Sequence, residues 1–192
     1  MKKLLQASDY ARIEDVVNDL IEDLGLRQFP VNCFEVAFML GIEIKKYSQF
    51  SKTDRDFVVS KYEDGFSITS AGKFIIYYND SMDRRRNKFT IWHEIAHIQL
   101  GHFESDCMIS YEQKEMEANH FAAYVMAPLA FIHNLGLCAP SEISDVCEIS
   151  LACAYKVYGH YKKAFRYESI RNAILNGRIV NLLTYSPKMI GA

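Results

Sequence analysis

The chain has 192 residues, of which 49% are apolar and 24% charged, with a formal net charge of −2. This composition excludes a disordered or fibrous chain and bounds the protein to one domain, or one domain with a small appendage. The near-neutral balance excludes an overall basic field that would draw the chain to nucleic acid.

Met1–Leu5 begins like a leader, but Gln6, Ser8, Asp9 and Arg12 interrupt it before an apolar core forms. Ile13, Val16, Val17, Leu20, Ile21 and Leu24 then fall at helical spacing and predict a helix over 9–24, capped by Ser8 and stopped by Gly25. Asn32 caps a short predicted helix, Cys33–Leu40, with Gly41 at its end. A strand over Ile42–Tyr47 and a polar loop over 48–56 follow. Phe57–Lys61, Phe66–Thr69 and Lys73–Tyr78 read as three short strands with turns at 63–65 and 71–72. Asn79-Asp80-Ser81 ends this sheet and caps a helix over 82–101. Ser110 followed by Gln113 is a capping-box signal for a second long helix over 111–126, closed by Pro128. Beyond Pro140, segments 141–148, 151–165 and 169–176 read as helices and Arg178–Leu183 as a last strand. The expected fold is therefore α+β: a small mixed or antiparallel sheet packed on a pair of long helices, with a helical C-terminal tail. The expected division is 1–138 and 139–192.

Cys33, Cys107, Cys138, Cys147 and Cys153 follow no disulfide or CxxC spacing, which predicts reduced thiols. No apolar run has the length of a membrane span. A cytoplasmic protein with no membrane partner is expected.

The string that carries chemistry is His93-Glu94-Ile95-Ala96-His97, an HExxH pattern. On the helix over 82–101, His93 and His97 are one turn apart on one face, so both imidazoles can hold one zinc ion. Glu94 lies beside them, placed as the general base that takes a proton from the attacking water and passes it to the leaving nitrogen of an amide. Composition alone gives roughly 0.01 such strings by chance in a chain of this length.

A catalytic zinc usually takes three protein ligands. His102, Cys107, Glu115 and Glu117 compete for the third place. His102 does not stand at the metzincin spacing from His97, and a thiolate is uncommon at a hydrolytic site. Glu115 and Glu117 point to different faces of their helix. Glu117 shares a stripe with Phe121 and Tyr124, where a helix packed on the HExxH helix would present a ligand, whereas Glu115 is expected to face solvent with Lys114. The expected set is His93, His97 and Glu117, the His₂Glu type that accepts Zn²⁺ among several divalent ions. His102, Tyr111, His120 and Tyr124 are available as oxyanion donors or as supports behind the ligands, and the sequence does not choose among them. The segment Lys73-Phe74-Ile75-Ile76-Tyr77-Tyr78 would dock an extended substrate peptide if it forms a sheet edge, and would not if it is interior.

The residues around these points resemble the ImmA/IrrE family of metallopeptidases. The resemblance runs through Arg85–Thr90 into His93–His97, then Leu100-Gly101-His102, and on through Glu117–Ala123 to Pro128. Lys73–Asn79, Pro30-Val31-Asn32 and Leu40-Gly41-Ile42 extend it over about residues 30–130. The resemblance implies a zincin-like peptidase domain, Zn²⁺ as cofactor, Glu117 as third ligand and Glu94 as general base. It also implies a narrow substrate: a helix-turn-helix transcriptional repressor, often encoded beside the peptidase, cleaved in a stress, phage or mobile-element response. Two residues depart from the family pattern. Ala127 stands where a Met precedes the Pro, and Trp92 replaces a small or aliphatic residue, which is expected to narrow the cleft.

The competing reading is a non-catalytic, metal-containing regulatory module that contacts a repressor or DNA. An intact Glu94 argues against it, because a mere metal site does not need that carboxylate. Lys156, Lys162, Lys163 and Arg166 on the tail are too few to favour direct DNA reading over a solvated helix face.

Overall fold

Ile13, Val17, Leu20 and Ile21 are all buried along the first helix, α1 (Ala7–Asp23), as their i, i+4, i+7, i+8 spacing requires. The computed structural model describes residues 5–104 and 106–185. Contacts group these residues into two compact units. One comprises the described residues up to Val16 together with Asn32–Ala122; the other comprises Val17–Val31 with the described residues from Ala123 onward.

The first unit is α+β. Asn32 accepts a hydrogen bond from the Phe34 amide at 3.1 Å and so caps α2 (Cys33–Met39). Gly41, at φ +70°, turns the chain into β2 (Glu43–Lys46). (Strand β1, Gln28–Phe29, belongs to the second unit.) The sheet is mixed, in the order β2-β4-β3. The central strand β4 (Lys73–Tyr78) runs parallel to β2 and antiparallel to β3 (Gly65–Ser70). Ile75, Ile76 and Tyr78 of β4 meet a core formed by Ile91, Trp92, Ile95 and Ala96 of α4 (Arg84–Gln99), all of them buried. Ala118, Phe121 and Ala122 of α5 (Tyr111–Met126) are buried too.

Two expectations change in this unit, and a third point left open is decided. Residues 57–61 form no strand but the end of a helix, α3 (Lys52–Lys61). Ser51 caps it, accepting from the Asp54 amide at 3.2 Å and donating to the Asp54 carboxylate at 2.6 Å. The run Phe57-Val58-Val59 looks β-like, yet α3 buries none of its residues, so the local cap decides the conformation where packing does not. The cap of α4 is Asp83, not the Asn79–Ser81 turn; its carboxylate accepts from the amides of Arg85 and Arg86. Of Lys73, Phe74, Ile75, Ile76, Tyr77 and Tyr78, the last four are paired on both sides and Lys73 and Phe74 with β3 alone, so the segment is the central strand of the sheet and not its edge. Among the described residues, the unpaired edge next to α4 belongs to β3.

The second unit is helical. It holds α6 (Leu129–Asn134), α7 (Pro140–Val146), α8 (Leu151–Ala164) and α9 (Glu168–Leu175), with α7 packed on α8 and α6 on α9. Phe29 stacks on Phe131 at 4.7 Å between ring centroids within a core that includes Ile132, Ile143, Cys147 and Ile179. Arg178–Leu183 is not a strand. Residues Ile179–Leu182 make a single helical turn, α10, and the strand residues follow at β5 (Thr184–Tyr185), which pairs in parallel with β1. No helix among the described residues is long and apolar enough to cross a membrane.

Candidate metal centre

α4 carries His93 and His97 one turn apart, and their Nε2 atoms lie 3.0 Å from each other. α5 brings Glu115 against both. One carboxylate oxygen is 3.4 Å from His93 Nε2 and the other 3.4 Å from His97 Nε2. Ligands held at 2.0–2.2 Å by one tetrahedral cation sit roughly 3.3 Å from one another, so these three groups have the spacing of a single ion's donor set. Burial lowers the pKa of both imidazoles, that of His97 to about 3, with the Glu115 charge opposing the shift at His93. Burial thus favours the neutral form of both rings, the form whose lone pairs can bind a metal. The donor set fits a divalent ion.

Glu117 is elsewhere. It is buried, as its place on the apolar stripe predicts, but its carboxylate takes hydrogen bonds from Arg12, from Gln113 at 3.0 Å and from His102 at 3.3 Å. Burial disfavours its charge, but the Arg12 and Gln113 bonds, the Arg12 charge and the His102 bond together hold the carboxyl below its ordinary pKa. Glu117 is thus an anion already committed to protein donors. α5 presents to the cleft the polar line Tyr111, Glu115, Asn119, spaced four residues apart, together with Lys114. A ligand to a metal that must meet substrate stands at the margin of a cleft, half-exposed, rather than in the apolar stripe. That placement, more than the amphipathic pattern, was the available signal for Glu115.

Glu94 lines the same cleft and is 8% exposed. Burial pushes its carboxyl up to about 7; the hydroxyl of Ser67 on β3 donates to it and opposes the shift, and the Glu115 charge adds to it. β3 is pinned to α4 by Arg86, which bonds Asp64 at 2.7 Å and Glu63 at 3.2 Å just before the strand. The cleft has a volume of about 560 Å³. It is walled by the aromatic rings of Tyr62, Phe66, Phe89, Phe103 and Tyr111 and floored by the histidines.

The remaining expected site residues divide. His102 is buried against His97, Nδ1 to Nδ1 at 2.9 Å. Tyr111 borders the cleft, and its hydroxyl pKa is raised by the Glu115 carboxylate and then by burial. His120 and Tyr124 do not line the cleft; His120 meets Glu14 at 3.2 Å and packs edge-on to Tyr10. Trp92 does not narrow the cleft. It is 1% exposed and packs on Phe121 in the core.

A histidine pair on the helix behind a small sheet, a buried glutamate between the histidines and a carboxylate from the next long helix make this a metallopeptidase-type domain. The family model Peptidase_M78, the IrrE N-terminal-like domain, matches residues 46–144, just over half of the chain, and the chain belongs to that family. No curated protein matches the chain.

Proposed function

We propose that this protein is a zinc-dependent endopeptidase whose metal is held by His93, His97 and Glu115, with Glu94 as general base. The observation that carries the proposal is the placement of Glu94: a buried carboxylate, bonded by Ser67, that lines an open cleft beside a three-donor cluster. When bound, the metal supplies Lewis acidity and lowers the pKa of water. Glu94 accepts the proton from the attacking water and returns it to the leaving amine. Ser67 holds the Glu94 carboxylate toward the cleft in the meantime. Tyr111 stands at the rim, where a phenol can donate to the developing oxyanion.

The free edge of β3 borders the cleft through Gly65, Phe66 and Ser67, and an extended peptide that pairs with it would pass over Glu94. The substrate is therefore a protein segment able to adopt a strand. From the family, we propose a helix-turn-helix transcriptional repressor encoded nearby as that protein, and the cytoplasm as the place of cleavage. The test mixes the zinc-loaded protein with casein and with the neighbouring-locus repressor and follows fragments by mass spectrometry. The proposal expects discrete cleavage of the repressor with little digestion of casein. General digestion of casein without preference for the repressor contradicts the narrow specificity. Cleavage of neither favours a non-catalytic regulatory module.

A further inference from the structure

The helix α4 ends in a Schellman motif. The amide of His102 bonds the carbonyl of His97 at 2.9 Å, the amide of Gly101 bonds that of Ile98, and Gly101 adopts φ +68° between them. In such a cap the residues at the positions of His97 and His102 touch, commonly as an apolar pair. Here both are imidazoles, and the contact is polar. His102 Nδ1 faces His97 Nδ1 at 2.9 Å, and His102 Nε2 faces the Glu117 carboxylate at 3.3 Å. The same Glu117 oxygen receives the Arg12 guanidinium from α1. Lys114 closes the turn by donating to the His102 carbonyl at 2.6 Å.

The directions of these hydrogen bonds follow from chemistry. A guanidinium only donates, and an ionised carboxylate only accepts. Glu117 must then accept from His102, so His102 carries its proton on Nε2. A neutral imidazole protonated at Nε2 has a lone pair at Nδ1. His97 must therefore donate from Nδ1, which leaves the lone pair of His97 on Nε2, the atom facing His93 and Glu115.

We infer that Arg12, Glu117 and His102 are positioning residues that fix the tautomer and ring orientation of the metal ligand His97. Arg12 lies outside the residues 46–144 matched by the family model, so the N-terminal helix completes the support of the site. This inference rests on the proposed His93–His97–Glu115 set. It also explains why Glu117 is buried without being a ligand: its charge orders a proton chain behind one. Polar groups behind a metal ligand are generally worth about 10–100-fold in metal affinity.

The test has two readouts. In the zinc-free protein, long-range ¹H–¹⁵N correlation of the histidine rings reports the tautomer of His97 directly. Zinc affinity by competition with a chromophoric chelator reports the consequence. Wild-type His97 should be the Nδ1–H tautomer. His102→Phe, which keeps a ring of similar size, should weaken zinc binding by about 10–100-fold. Arg12→Met, at a half-exposed side chain that does not threaten folding, should weaken it less and populate the other His97 tautomer; Arg12→Lys should restore part of the loss. An Nε2–H tautomer of His97 in the wild-type protein overturns the inference. So does unchanged zinc affinity in a folded His102→Phe, or in Arg12→Met should His102→Phe not fold. Wild-type protein that binds no zinc overturns the metal reading instead, and the tautomer readout, which needs no metal, still decides the positioning chain.

Discussion

At Gly65 the edge strand β3 lies tight against α4, and Gly65→Ala tests whether that approach sets the site. An added Cβ would lie 2.4 Å from Thr90 Cγ2 and 2.9 Å from the Tyr77 carbonyl oxygen. Non-bonded carbons pack at about 3.5–4.0 Å, so roughly 1 Å must be absorbed. Neither neighbour is free to yield. Thr90 is 6% exposed and its hydroxyl donates to the Arg86 carbonyl at 3.1 Å, which holds its rotamer. The Tyr77 oxygen is backbone of the central strand. The strand must lift from the helix instead, at an overpacking cost of about 1–3 kcal/mol. For a chain of this size that is roughly 2–12 °C in Tm. Ser67, two residues along, donates to Glu94, so cleavage should fall further than the lost stability accounts for. Calorimetric melting of Gly65→Ala, Thr90→Ser and the double variant is the assay. Thr90→Ser removes Cγ2 and keeps the hydroxyl, so it should recover part of the loss in the double variant, leaving the share due to Tyr77. A single variant that melts within 1 °C of wild type would refute the reasoning, as would a double variant with no recovery.

Glu94→Gln should keep its metal and lose about 10²–10⁴-fold in cleavage, since it removes the base and no ligand; metal content and repressor cleavage at saturating zinc check both halves. Phe121→Ala empties a fully buried position against Trp92 and should cost about 3–5 kcal/mol in urea unfolding, with the loss shared by α4 and α5. Gly101→Ala forces a Cβ into φ +68° and should cost roughly 1–2 kcal/mol. It should also weaken zinc binding, because the same turn seats His102 against His97; an affinity equal to wild type would separate the turn from the site.

The HExxH helix, the second long helix and the strand before them were legible because their signals are local: a spaced histidine pair, Ser110 accepting from the Gln113 amide at 3.2 Å, and an apolar run from Lys73 to Tyr78. Even there a detail moved. The Gln113 side chain does not return to close the capping box but reaches forward to Glu117. Elements whose identity depends on partners were misread. Residues 57–61 have strand-like composition but, among the described residues, no strand to pair with, and the Ser51 cap makes them helical. Arg178–Leu183 likewise reads as β, yet the pairing residues lie just beyond it. Whether Lys73–Tyr78 is edge or interior depends on β2, some thirty residues upstream, and periodicity carries no information about that neighbour. Glu115, the third donor proposed here, was passed over in the sequence for a related reason. Amphipathic patterning finds the side of α5 that meets the core, and Glu117 is indeed there; it cannot show that Arg12, more than a hundred residues earlier, neutralises that glutamate and leaves Glu115 facing the histidines.

The central claim is that one divalent ion sits between His93, His97 and Glu115. Anomalous diffraction at the zinc edge from crystals grown with zinc tests it most directly. The account predicts one strong peak, at about 2.0–2.2 Å from both Nε2 atoms and a Glu115 oxygen, with Glu117 still bound to Arg12 and His102. A peak coordinated by Glu117 in place of Glu115, or none at the histidine pair, would contradict it.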